Sequence, residues 1–286
     1  MCRHFAYLGR ELPLTELIHP PQGLYEQSWA PRQQRYGTVN ADGFGLGWYP
    51  PPPPPGTTAT TWSDAAPPDH RPNAAAPPPA RYRRAVPIWA DQNLPDLART
   101  VRSRCVLGAV RDATPGTSQD ESAAAPYRCG PWLFSHNGAV PSWQRLPDEL
   151  RLPLSAEELL WMEARCDSAL LWLLIHRRLL TGEPAAEVLA ELVPRIAALR
   201  PGVRLNILLT DGARLTAVRH GDTLWCRSDA DGVVLASEPD ASAGWREVPD
   251  HTLVTVAHDE PVRFRPLAPA AVPPAQAAAT ERTATP

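Results

Sequence analysis

Short runs rich in valine, leucine and isoleucine, gathered into two sets around a stretch of helical periodicity, restrict this chain more than any other feature. The runs are Cys105–Val110, Trp132–Ser135, Val203–Thr210, Arg214–Val218, Thr223–Cys226, Val233–Ala236 and Leu253–Val256. Their length and composition mark them as strands. Asp211-Gly212 and Asp231-Gly232 are hairpin signals, so an antiparallel meander is expected in the C-terminal half. Between the sets, Leu170, Leu171, Leu174, Ile175 and Leu179 share one face of a helix that follows Asp167 and stops at Gly182. A second helix starts near Pro184, repeats Val188, Leu189, Leu192, Val193 and Ile196, and ends before Pro201-Gly202. Pro194 is expected to kink it. Strands, then helices, then strands favour an α+β fold with antiparallel sheets over a doubly wound parallel sheet.

The 35 prolines interrupt this pattern in two places. From Pro50 to about Val86, Pro50 to Pro55 and Pro77 to Pro79 lie among alanine and threonine, a composition that reads as a surface insertion rather than core. Residues 268–286 read as a low-complexity tail, leaving residues 1–267 for a single domain. A net charge of -3 gives no footprint for nucleic acid or an anionic membrane. All 28 basic residues are arginine, which removes the lysine that Schiff-base, pyridoxal-phosphate and P-loop chemistries require. The five cysteines, at 2, 105, 129, 166 and 226, show no C-x-x-C spacing, so neither a disulfide framework nor a structural zinc site is expected, and a reducing cytoplasm is the default. The sequence has no 18-residue apolar run and no export leader at its start.

Cys2 stands directly behind the initiator methionine. Removal of Met1 would make it the terminal residue, with a thiol nucleophile and an α-amino base of pKa about 7.7 to 8.0 in one residue. Attack of a thiolate on an amide carbonyl creates an oxyanion. Asn137 and Gly138, in Ser135-His136-Asn137-Gly138 at the end of a strand, are suited to supply donors through a side-chain amide and a backbone N–H, with glycine allowing a tight turn. Read alone, that segment is also a plain turn. Arg111 follows the strand that ends at Val110 and could clamp a carboxylate, or make a surface ion pair. Asp167 could cap its helix or hold an ammonium. Gly43, Gly45 and Gly47 lack dinucleotide spacing and suit close packing around a strand.

Cys2, then Ala109-Val110-Arg111 with Ala113-Thr114-x-Gly116, then His136-Asn137-Gly138, then Cys166-Asp167-Ser168 occur in an order that resembles the class II glutamine amidotransferases, which are N-terminal-nucleophile hydrolases. Met1-Cys2-Arg3-His4, Ala30-Pro31-Arg32, Asn40-Ala41-Asp42-Gly43, Leu205-Asn206-Ile207-Leu208, Gly221-Asp222-Thr223-Leu224 and the segment Ala230 to Pro239 are similar, within that group, to the γ-glutamyl hydrolases of ergothioneine biosynthesis. The similarity covers about residues 1 to 260 apart from the proline-rich insertion.

The resemblance implies a four-layer αββα sandwich of two stacked, mainly antiparallel sheets, with Cys2 at the start of a central strand. It implies hydrolysis of the γ-glutamyl amide of γ-glutamyl-hercynylcysteine sulfoxide through a Cys2 thioester, with the Cys2 α-amine as base. Asn137 and Gly138 would hold the oxyanion, Arg111 the glutamyl α-carboxylate and Asp167 the α-ammonium, with Thr114 and His136 also binding substrate. No metal or other cofactor is implied. The partner would be a small γ-glutamyl molecule rather than nucleic acid or membrane; a homo-oligomer stays open. Trp29 and Trp48 are candidates for holding the trimethylammonium of the leaving group. The alternatives are another γ-glutamyl amidase, a stand-alone glutaminase feeding ammonia to a partner, and a non-catalytic binding protein on the same scaffold.

Overall fold

A strand near the beginning of the chain sits in the middle of the molecule. The computed structural model describes residues 2–51, 78–114 and 116–270. Its strands are β1 (Arg3–Pro13), β2 (Phe44–Trp48), β3 (Ala80–Arg84), β4 (Arg102–Val110), β5 (Tyr127–Cys129), β6 (Trp132–Ala139) and β7 (Arg204–Thr210). They continue with β8 (Arg214–Arg219), β9 (Trp225–Asp229), β10 (Gly232–Ala236), β11 (Arg246–Glu247), β12 (Thr252–Ala257) and β13 (Arg263–Pro266). The helices are α1 (Leu14–Ile18), α2 (Leu24–Gln27), α3 (Leu94–Thr100), α4 (Leu146–Glu149), α5 (Ala156–Trp161), α6 (Asp167–Leu180) and α7 (Ala185–Leu199).

One sheet has the order β11-β9-β10-β1-β4-β2-β3 and the other β13-β12-β8-β7-β6-β5. Every pairing is antiparallel. Because side chains alternate along a strand, each strand feeds two layers. Ala6 and Leu8 of β1 join Cys105, Leu107, Leu133, Leu208 and Ala217 in a core between the sheets. Phe5 and Tyr7 point the other way, against Leu14, Ile18, Leu24 and Leu94 of α1 to α3. On the outer face of the second sheet, Phe134, Ile207 and Leu209 meet the apolar faces of α6 and α7, and Phe134 stacks on Trp172 with centroids 5.3 Å apart. The result is the expected αββα sandwich. Among the described residues no helix is long and apolar enough to cross a membrane.

Several expectations are corrected. The C-terminal strands do not form one meander: β7 and β8 make a hairpin in the second sheet, β9 and β10 a hairpin in the first, and β12 returns to the second. A tight turn fixes only the pairing of the strands it joins, and leaves the sheet they enter to the packing. The strand expected at Thr223 begins at Trp225, and β6 runs four residues beyond Ser135, to Ala139. The insertion expected to reach Val86 ends earlier, because Ala80–Arg84 forms the edge strand β3, registered from Phe44↔Arg84 to Trp48↔Ala80. Its charges suit an edge: Arg81 and Arg83 pair with Glu163 at 2.8 and 2.9 Å, and Arg84 with Glu121 at 3.2 Å. Residues 52–77 of that insertion and 271–286 of the tail lie outside the described residues. The helical segment of α7 continues through Pro194 without interruption.

Leu107 is fully buried between the sheets. Leu107→Ala is therefore expected to lower the unfolding free energy by about 2–5 kcal/mol, read from the midpoint and slope of urea unfolding; a change below about 0.5 kcal/mol would show that the interlayer core does not hold the sheets together.

Candidate active site

The backbone ladder of β1 decides where Cys2 stands. Arg3↔Val110 and His4↔Ala109 pair across β1 and β4, and one more step of that register sets Cys2 opposite Arg111. Side chains directly opposite in an antiparallel pair share a face. Cys2 therefore lies with His4 and Ala6 on the face that looks toward the second sheet. Across the gap, β6 presents Leu133, Ser135 and Asn137 toward β1, while Phe134, His136 and Gly138 face α6. His4 Nδ1 and Ser135 Oγ, two residues along from Cys2 and Asn137 respectively, are 3.0 Å apart and tie the two sheets together.

A narrow cleft open to solvent is lined by Cys2, Arg111, Thr114, His136, Gly138 and Asp167 among others. Residues far apart in sequence are thus brought together as expected. Asn137 is fully buried beside the cleft rather than on its lining, and neither its Oδ1 nor its Nδ2 has a partner. Gly138 serves a different purpose from the expected turn. It lies inside β6, and a Cβ there would collide with the carbonyl oxygen of Arg204 on the neighbouring strand. Gly45 likewise admits the carbonyl of Ala125, so the glycine-rich segment is a packing device.

Arg111 is buried, which sets aside the surface ion pair. Its Nη2 donates to Ser118 O at 2.6 Å and Thr117 Oγ1 at 3.1 Å, while Nη1 is buried without a partner. Thr117 Oγ1 donates in turn to Thr114 O at 2.7 Å, which shapes the turn at the cleft rim. A guanidinium nitrogen left unsatisfied in a cleft is costly unless a ligand completes it. Asp167 is the first residue of α6 rather than its cap; the cap position belongs to Cys166. Its Oδ1 accepts from Ser168 N at 2.8 Å and its Oδ2 from Val140 N at 2.9 Å, fixing the carboxylate between α6 and the end of β6. Both bonds leave lone pairs for a cation.

His136 lines the cleft, and both of its ring nitrogens have partners within the protein. Its Nε2 is 3.0 Å from Arg204 O and its Nδ1 2.9 Å from Ser168 Oγ. With Nε2–H donating to the carbonyl, Nδ1 accepts from the serine, and no ring nitrogen is left for substrate. The ring instead braces β6 against β7 and α6. The tryptophan candidates also fall elsewhere: Trp48 packs with the outer layer under α1 to α3, and Trp29 lies edge-on to Trp89, so neither lines the cleft.

Burial pushes the Cys2 thiol up, with the Arg111 guanidinium among the smaller influences drawing it down. The thiol donates to Asp112 O at 3.8 Å. Cys166, also on the cleft, is pushed up by burial and lies 3.2 Å from Tyr127 Oη. Among the described residues no group of three or more His, Cys, Asp or Glu side chains is placed to hold a metal ion. His4 and Ser135 were missed as site residues. The signal available was their two-residue spacing from Cys2 and Asn137, which in strands means a shared face.

No protein-family model matches the chain. It is 40% identical over 269 residues to the γ-glutamyl-hercynylcysteine sulfoxide hydrolase of Mycolicibacterium smegmatis, covering 93% of this chain and 100% of the relative. The chain belongs to that hydrolase family. The hydrolase of the same name from Mycobacterium tuberculosis is 39% identical over 258 residues, covering 90% of this chain and 93% of the relative. The fold recurs in a glutamine aminotransferase class-II domain protein from Silicibacter pomeroyi, with TM-score 0.61, 22% identity and coverage of 94% and 100%. It recurs again in the glutamine phosphoribosylpyrophosphate amidotransferase of B. subtilis, with TM-score 0.58, 15% identity and coverage of 94% of this chain and 49% of that one.

Burial, aided by His136 and Arg3, holds the His4 imidazole well below its ordinary range. The unfolded chain takes up a proton below about pH 6.5 that folded His4 refuses, so this residue's contribution weakens as pH falls. Between about pH 7.5 and 5.5 the wild type should lose stability faster than His4→Gln, by up to about 1.4 kcal/mol per pH unit. Parallel pH profiles of urea unfolding for the two proteins would contradict a neutral buried His4.

Proposed function

We propose that this chain hydrolyses the γ-glutamyl amide of γ-glutamyl-hercynylcysteine sulfoxide, releasing glutamate and hercynylcysteine sulfoxide, with Cys2 as nucleophile. The observation that carries the reading is the similarity along the entire length of a relative bearing that name. The cleft supports it through Arg111, with an unpartnered buried nitrogen, and the fixed carboxylate of Asp167. Opposite charges of that kind suit the α-carboxylate and α-ammonium of a glutamyl group.

In this reading Met1 is removed and the freed α-amine stands beside the Cys2 sulfur. Because burial disfavours a resting thiolate, the thiol gives its proton to the amine as Sγ attacks the γ-carbonyl carbon. Negative charge gathers on the carbonyl oxygen, which accepts from Asn137 Nδ2 and the Gly138 N–H. The C–N bond then breaks, the ammonium returns the proton to the departing nitrogen, and a thioester remains. A water molecule, deprotonated by the amine, attacks the thioester; the C–S bond breaks, glutamate leaves and the thiol recovers its proton. Every proton is held by the chain's own groups, so the steps call for no cofactor. Thr114, at the rim, closes the glutamyl end. A cytoplasmic location goes with this reading and is supported by the five free cysteines.

The test is glutamate release from the hercynyl sulfoxide substrate alongside glutamine. Cys2→Ala should lose more than about 10³-fold in turnover while keeping its fold and its affinity for substrate. Full activity in protein whose intact mass still includes Met1 would end the amine-as-base mechanism, and equal efficiency on glutamine would favour an ammonia-supplying glutaminase.

A further inference from the structure

In the substrate proposed above the scissile nitrogen belongs to a cysteine, so the carbon attached to it carries a carboxylate. Glutamine has no such group. A site that cleaves this amide selectively has a means of sensing that negative charge within a few ångströms of the reacting carbonyl.

Arg204 lies next to the cleft through its backbone contact with Gly138, although its side chain is not part of the lining around Cys2. It opens β7, where Asn137↔Asn206 and Ala139↔Arg204 are opposite pairs on β6 and β7. Two residues before Asn206, its side chain lies on the same face as Asn206 and Asn137, the face that looks toward β1. Its backbone carbonyl is the group that only a glycine at 138 can approach. The guanidinium is oriented from two sides: Nε is 3.0 Å from Asp222 Oδ2, and Cζ lies 4.5 Å from the centroid of the Tyr36 ring. Its side chain is 23% exposed, and the Nε–Oδ2 contact is an ion pair that does not meet hydrogen-bond geometry. A planar, partly exposed cation stacked on an aromatic ring and ion-paired at Nε can present the fork that grips a carboxylate with two hydrogen bonds.

The surrounding charges agree. Asp222 is buried and also lies within electrostatic range of Arg3 and Arg35. Arg3, the residue after Cys2, has Glu238 at 3.8 Å. Arg3, Arg35 and Arg204 thus face two carboxylates, and the corner keeps a surplus positive charge. Tyr36 comes from the segment between α2 and β2, which is anchored where Arg32 N and Gln33 N donate to the Glu238 carboxylate at 2.8 and 2.9 Å.

We infer that Arg204, stacked on Tyr36 and oriented by Asp222, binds the carboxylate on the leaving amine and so selects γ-glutamyl-amino-acid amides over glutamine. The inference rests on the hydrolase reading proposed for the Cys2 cleft. Its test compares the hercynyl sulfoxide substrate with an analogue built on cysteamine, which lacks only that carboxylate. Arg204→Gln should raise KM for the carboxylate-bearing substrate roughly 10- to 100-fold, with kcat changed little and the cysteamine analogue unaffected. Arg204→Lys should recover part of the loss, because it keeps the charge without the fork, and Tyr36→Ala should shift KM in the same direction by less. Circular dichroism and thermal unfolding report whether each variant folds; if Arg204→Gln does not, the Lys and Tyr36 variants decide. Unchanged KM in the folded variants, or equal losses on both substrates, would overturn the assignment of Arg204 while leaving the hydrolase reading intact. A wild-type protein inactive on both substrates would overturn both.

Discussion

Strand β1 is hydrogen-bonded along both edges, to β4 and to β10, and the geometry of the cleft is referred to that ladder. A chain start is ordinarily the least ordered part of a domain. Here the first described residues are pinned at the middle of a seven-stranded sheet, so Cys2 sits opposite Arg111 by register rather than by a flexible approach. The second sheet is then aligned to the first by the interlayer core and by polar links, Cys105 to Thr210 and His4 to Ser135, the latter one alternation away from both Cys2 and Asn137. Such a bond between two buried groups contributes little net stability but is costly to break one-sidedly. That asymmetry favours a single alignment of nucleophile and donors.

At and beside the cleft the fold leaves several buried groups unsatisfied. Arg111 Nη1, both side-chain polar atoms of Asn137 and His4 Nε2 are buried without partners. Some buried polar side chains are completed internally, as where Asn206 bonds Thr223 O and His220 N and Glu238 takes two backbone N–H groups, while Arg3 keeps all three guanidinium nitrogens without a hydrogen bond. Unsatisfied groups gathered at one place are the physical mark of a site whose last partner is a ligand. Arg204 extends the pattern to the far side of Gly138, where a partly exposed guanidinium is oriented but not filled.

Apolar periodicity found β7, β8, β10 and β12 and the two long helices α6 and α7 to within a residue or two, and β4 apart from its first three residues, because each packs one continuous apolar face. It missed β1. In Arg-His-Phe-Ala-Tyr-Leu-Gly, polar and apolar residues are buried on both faces of a central strand, so no alternation survives to be read. The short helices α1 to α5 escaped for the opposite reason: one or two turns carry too few apolar residues to show a period. β3 was hidden in a proline-rich stretch because an edge strand needs neither an apolar face nor a full set of backbone donors.

For the candidate site, the sequence by itself determined the chemistry on offer: a cysteine that removal of Met1 would make terminal, an arginine ending a strand, an Asn-Gly pair and an aspartate at a helix start. These are properties of residue type and local position. Only the tertiary structure decided their use. It buried Arg111, which looked like a surface cation, and it occupied both nitrogens of His136. It turned Gly138 from a turn residue into a point of close strand approach, and it stacked Arg204 on Tyr36 from segments with no motif of their own. Hydrogen-bond partners and burial come from strands distant in sequence. A single chain read in order holds no record of which of its segments will be neighbours across two stacked sheets.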